Sequence, residues 1–257
     1  MDLELTGKSA LVCGASQGLG FAIAEALAAE GCRVGLLARN TAKLETHVKD
    51  MTARGFSAIA LTADMGDWTS VETALMTLGM PSILVNNSGG PPRIDVTKVD
   101  PDLWRKQFET MVLNQMRLTE AVLPMMRQQK FGRILNVAST SIVEPMAGLA
   151  ISNSLRAALA NWMKTLATEV ARDGVTINLL LPGSFATERI DGFDIREAEA
   201  RKIPVEQVVV ENSAAIPIGR YGDPREFGAV AAFLASPKAS YVTGQMIRID
   251  GGNTRST

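Results

Sequence analysis

Ser9-Ala10-Leu11-Val12-Cys13-Gly14-Ala15-Ser16-Gln17-Gly18-Leu19-Gly20 joins a short apolar run to a glycine-rich turn, and residues 21–30 continue it with helical character. Glycines at such a turn let the chain reverse tightly and let a pyrophosphate approach the backbone. The helix that follows contributes free N–H groups and the positive end of its dipole. A glycine cluster alone is most often only a turn. Its place between a strand and a helix, with a second strand beyond, makes Gly14, Ser16, Gln17, Gly18, Leu19 and Gly20 candidate dinucleotide-binding residues.

Working outward, apolar runs at 9–13, 33–38, 57–62, 83–86, 133–138, 175–181 and 246–250 read as strands separated by helical segments. Val34-Gly35-Leu36-Leu37 and Ile177-Asn178-Leu179-Leu180-Leu181 are apolar at successive positions, so both faces are covered. The pattern predicts an α/β fold of the Rossmann type, a doubly wound parallel sheet with helices on both faces. Two helices read as long, over about 101–130 and about 149–173, and their small residues suit close packing between subunits. Residues 1–257 form one expected domain, because no linker interrupts them. Segment 184–217 departs from the alternation as a charged insertion at the carboxyl edge of the sheet, a candidate substrate lid.

Composition narrows the partners. Lys plus Arg number 26 against 27 Asp plus Glu, without runs of like charge, so neither a nucleic-acid face nor a membrane patch is expected and a small molecule is favoured. The opening Met1-Asp2-Leu3-Glu4 is acidic where a signal peptide would be basic, and the expected location is cytoplasmic. Cys13 and Cys32 are too few and too scattered for a disulfide framework or a zinc site, and read as buried free thiols. No metal constellation is visible.

The second strand ends Ala38-Arg39-Asn40. An acidic residue there would accept bonds from ribose hydroxyls. Arginine instead pairs with a 2′-phosphate, so NADP(H) is the favoured cofactor with NAD(H) possible, the competing role of Arg39 being a solvated loop cation. Asp64, followed by Met65, is placed to accept from the adenine amino group, with a helix cap near Asp67 as its structural competitor. Asn87, Ser88 and Gly89 follow the fourth strand, and Pro182, Gly183 and Thr187 follow the sixth. These two loops would flank the nicotinamide.

Taken together, Gly14-xxx-Gly18-x-Gly20, Asn86-Asn87-Ser88-Gly89, Asn114, Ser139, Pro182-Gly183-xxx-Thr187 and Asp250-Gly251-Gly252 resemble the short-chain dehydrogenase/reductase family over essentially the whole chain. The likeness is greatest to its 3-oxoacyl-acyl-carrier-protein reductase group. It implies sheet order 3-2-1-4-5-6-7 and a homotetramer or homodimer built on the two long helices. It also implies Asn114 as a helix-bending, water-holding residue and Ser139 as the donor that orients a substrate carbonyl. The family's tyrosine and lysine stand four apart on the next helix. Here those positions hold Ser152 and Arg156, and the two tyrosines of the chain, Tyr221 and Tyr241, lie elsewhere.

The chemistry then turns on a missing phenol. An aliphatic hydroxyl is a far weaker acid than phenol, and an arginine is a poor proton source. The reading is an NADP(H)-dependent oxidoreductase acting on a ketone, 3-oxoacyl thioester or secondary alcohol. In it Ser152 relays a proton through water and Arg156 anchors the nicotinamide ribose. Glu144 is a candidate substitute acid, and a surface glutamate beside Pro145 is the commoner explanation of it. His47, the single histidine, is expected at the surface. The alternative is a catalytically silent nucleotide-binding sensor or assembly protein, and nonredox chemistry is a third reading.

Overall fold

The computed structural model describes residues 1–256. Its sheet runs β3-β2-β1-β4-β5-β6-β7 with every named pair parallel. The strands are β1 Ser9–Cys13, β2 Arg33–Ala38, β3 Ser57–Thr62, β4 Ile83–Asn86, β5 Gly132–Val137, β6 Val175–Pro182 and β7 Met246–Ile249. The first four agree with the sequence reading at both ends. β6 and β7 differ by one residue at one end and β5 by one residue at both, as expected where a strand passes into a loop.

Successive side chains of a strand point to opposite faces, and both faces here are apolar. Ala10, Val12, Leu36, Ile83, Val85, Leu135 and Leu180 enter one core with Ile23 and Leu27 of helix α1 (Gly18–Ala29) and Phe227 and Leu234 of α9 (Pro224–Ala235). Leu11, Cys13, Leu37, Leu84, Ile134, Leu179 and Leu181 enter the other. Their partners are Val71 of α3 (Trp68–Leu78), Leu118 and Val122 of α5 (Asn114–Gln128), and Leu159 and Met163 of α6 (Ala150–Val170). Helices α2 (Thr41–Ala53), α4 (Pro101–Phe108), α7 (Glu188–Arg201) and α8 (Val205–Ala215) complete the layers. Chain order reverses between β1 and β4, which opens a crevice outside the carboxyl ends of the strands.

Four expectations need correction or refinement. The helix expected over 101–130 is interrupted by a π segment, Glu109–Leu113, closed by a bond from the Asn114 N–H to the Glu109 carbonyl. The charged insertion at 184–217, whose structure the sequence left unassigned, folds largely as two helices, α7 and α8. His47 is half-buried, not a surface residue. The first helix also begins at Gly18, three residues earlier than expected. Among the described residues no helix is long and apolar enough to cross a membrane, and no group of three His, Cys, Asp or Glu side chains is arranged to hold a metal. Cys13 and Cys32 are buried free thiols, both pushed up to about 12 by burial.

Candidate active site

The glycine turn follows β1 at the crevice. Gly18 has φ +57, in the left-handed region. A Cβ on Gly20 would stand 2.2 Å from the Gly14 carbonyl oxygen, so no larger residue fits without moving backbone. Gln17 precedes α1 without making a side-chain cap, and the first turn holds no acidic residue. An uncapped helix start free of negative charge fits the pyrophosphate of a dinucleotide. Ser16, Gln17, Gly18 and Leu19 all keep exposed surface there. Asn87 packs against Gly14, and the Thr187 methyl lies 3.5 Å from where a Gly18 side chain would begin, so the two flanking loops meet the turn.

His47 supports this turn from behind. Its Nε2 lies 3.0 Å from the Ser16 carbonyl oxygen, and its ring stacks on Phe21 with centroids 3.7 Å apart. Lys43 Nζ donates to Gln17 Oε1 at 2.8 Å and pairs with Glu188 Oε1 at 2.9 Å, tying the start of α7 to the turn.

Arg39 and Asp64 face each other at the far edge, 3.9 Å apart, and the Arg39 side chain is 79% exposed. Asp64 Oδ1 accepts from the Gly66 N–H at 2.9 Å, so it also shapes its own loop, while Asp67 caps α3 by accepting from the Thr69 N–H at 3.1 Å. The Met65 carbonyl accepts from Asn114 Nδ2 at 2.8 Å. Asn114 is fully buried at the end of the π segment, and it joins that bend to the loop after β3.

At the sheet centre, Arg156 gathers three elements. Its Nη1 donates to the Val137 carbonyl at the end of β5 (2.7 Å), its Nε to Ser152 Oγ (3.2 Å) and its Nη2 to the Ser88 carbonyl (3.5 Å). Burial and then the charge of Arg189 push its guanidinium down to about 10. It stays cationic at neutral pH. Ser139 Oγ accepts from the Ser141 N–H at 3.1 Å and keeps its own hydrogen for another acceptor. Ser88 Oγ is buried without a protein partner among the described residues, an orphan that the polar edge of a nicotinamide fits. Gly183, just past Pro182, packs against Asp250.

A scan of family models matches residues 14–254 to the family described as enoyl-(acyl carrier protein) reductase. The chain belongs to the short-chain dehydrogenase/reductase family. Among the relatives, oxidoreductase UcpA of Salmonella typhimurium is 35% identical, covering 98% of this chain and 96% of that protein. 3-Oxoacyl-[acyl-carrier-protein] reductase FabG of Vibrio cholerae is 34% identical over 97% of this chain and 98% of its own length. The structure of L-sorbose reductase from Gluconobacter frateurii, complexed with NADPH and L-sorbose, superposes with a TM-score of 0.94 at 28% identity, covering 100% of both chains.

In this short-chain reductase Glu144 is not aimed at the serines. It is exposed and its Oε1 accepts from the backbone N–H groups of Arg255 (2.9 Å) and Ser256 (2.8 Å), so it ties down the C-terminal strap. Tyr241 is fully exposed. Tyr221 lines a cavity of about 570 Å³ beneath α7, with its hydroxyl donating to Asp194 at 2.9 Å. Burial, then that carboxylate, push its phenol up to about 12, the wrong direction for an acid. Sequence reading missed His47, Lys43, Arg189 and Tyr221 as site residues. For His47 the signal was present, because it shares a helix face with buried Leu44 and Met51 at spacings of three and four. Nothing local marks the others, which reach the site from α2, α7 and the loop before α9.

Proposed function

We propose that the protein is an NADP(H)-dependent oxidoreductase that interconverts a ketone or 3-oxoacyl thioester and the secondary alcohol, with a serine-based proton path in place of a phenol. The cofactor reading rests on the uncapped glycine turn, on exposed Arg39 at the end of β2, and on likeness to a reductase complexed with NADPH. When bound, the reduced nicotinamide supplies the hydride equivalent, which no side chain carries.

The protein's own part is to hold the carbonyl and deliver one proton. Ser139 donates to the carbonyl oxygen and orients it. The single observation that carries the proton path is the bond from Arg156 Nε to Ser152 Oγ. With its oxygen accepting from a cation, Ser152 keeps its own hydrogen for another acceptor, and the adjacent charge stabilises the oxygen as that proton leaves. Water restores it. Arg156 is a positioning charge in this scheme, and its remaining donors hold the Val137 and Ser88 carbonyls that frame the site.

General acid catalysis is worth about 10² to 10⁴ in rate. Steady-state reduction of ketones and 3-oxoacyl thioesters with NADPH should therefore give slow but measurable turnover. It should fall about 100-fold in Ser139→Ala and about tenfold or more in Ser152→Ala. NADPH binding without turnover on any of these substrates, unchanged by Ser152→Tyr with Arg156→Lys, would favour the nucleotide-binding sensor instead.

A further inference from the structure

Three guanidinium groups converge on one ring at the mouth of the cavity under α7. The Cζ atoms of Arg93, Arg189 and Arg196 lie 4.8, 5.0 and 5.0 Å from the Phe193 centroid. None of the three has a carboxylate within salt-bridge distance among the described residues. Two acids of α7 are committed elsewhere. Asp194 accepts from Tyr221 and from Asn212, and Glu197 pairs with Arg201 at 2.9 Å. Cation–π contact holds a guanidinium over a ring while leaving its in-plane N–H donors free. Like charges gathered this closely raise one another's energy, which a bound anion relieves.

The cluster also borders the loop that leads to the reaction centre. Arg93 and Arg196 line the cavity, and Arg189 lies so close over Gly90 that a Cβ there would stand 2.1 Å from its Nη2. Gly90 closes the loop that carries Ser88, whose carbonyl Arg156 holds.

We propose that Arg93, Arg189 and Arg196 form a subsite for an oxyanion carried by the substrate, so that the compound reduced is a small ketone bearing a carboxylate or a phosphate monoester. This rests on the oxidoreductase reading and narrows it. Arginine suits the task because its planar fork pairs two donors with two oxygens of either group.

The test is binding, measured by calorimetry on protein saturated with NADP⁺ so that no turnover intervenes. The probes are 4-oxopentanoate against its methyl ester, and dihydroxyacetone phosphate against dihydroxyacetone. Each comparison keeps the ketone and removes the charge. At least one anion should bind about tenfold or more tightly than its neutral analogue, and the difference should shrink to about twofold in Arg93→Met/Arg196→Met but persist in Arg172→Met, an exposed arginine in the turn before β6. The responding pair tells carboxylate from phosphate. Equal affinities within both pairs would overturn the subsite, as would displacement of NADP⁺ by either anion, since the arginines would then serve the cofactor's own phosphates. A separate NADP⁺ titration without response would sink the oxidoreductase reading alone. The same acid-to-neutral comparison on free protein then decides the subsite.

Discussion

Replacing Arg156 with methionine should cripple the site without unfolding the protein. A guanidinium held down from 12.5 to about 10 is charged at neutral pH at a cost of roughly 3 kcal/mol. That figure is an upper bound, since the residue keeps partial exposure and its three acceptors favour the charged form. Arg156→Met removes the cost and leaves the buried Val137 carbonyl without its 2.7 Å donor, a loss of about 1 to 3 kcal/mol. The two nearly cancel. Stability should thus fall between unchanged and about 2 kcal/mol higher, or up to ~8 °C in Tm for a chain of this length. Truncating a large buried side chain ordinarily costs about 2 to 5 kcal/mol. Because the depressed group binds fewer protons folded than unfolded, the wild type should gain stability relative to the variant as pH rises from about 10 toward 12.5. Thermal and urea unfolding of the nucleotide-free proteins measure the first quantity, and ketone turnover with NADPH measures the loss of function. A drop in Tm of more than about 5 °C would refute the reasoning, because the charge would then be serving the fold.

Arg39→Ala should abolish a preference for NADPH over NADH, raising the NADPH Kd about tenfold while leaving that for NADH nearly unchanged, as read by nucleotide fluorescence titration. Gly20→Ala should lower stability by about 1 to 3 kcal/mol and weaken both nucleotides together, since the new methyl meets the Gly14 carbonyl. Tyr221→Phe keeps the ring but takes a donor from buried Asp194, so urea unfolding should report a loss of about 1 to 3 kcal/mol at neutral pH with NADPH affinity intact. The Tyr221 phenol is raised from 10 to about 12 in the folded state, so that deficit should be full below pH 10 and shrink as pH climbs through about 12.

How far the sequence could be read depended on whether burial leaves a pattern. Leu11 and Val12, or Leu36 and Leu37, had to be apolar on both sides because helices cover both faces of the sheet, so those strands were plain. The glycine turn was equally legible, since only a close backbone contact explains Gly20. Helix α7 left no such mark. It buries only Asp194 and Ala198, so it has no apolar stripe, and its charges hid a regular helix inside what looked like an insertion. The placement of Ser152 and Arg156 four apart on α6 could be read, but not the bond between them. The arginine cluster was invisible because Arg93 and Arg189 are distant in the chain and meet only across the crevice.

The π segment before Asn114 holds one residue more than the α-helix it interrupts. Deleting Thr110 would let the two flanking helices fuse into a single regular rod, an outcome usually counted as an improvement. The wide turn absorbs that residue, so later side chains would keep their faces, but closing it would shift the backbone at Asn114 and strain the 2.8 Å bond its amide now makes to the Met65 carbonyl. A tidier spiral would come at the expense of a strut that couples this bend to the neighbouring loop. Engineering for heat resistance by smoothing irregular helices should therefore leave this surplus residue alone.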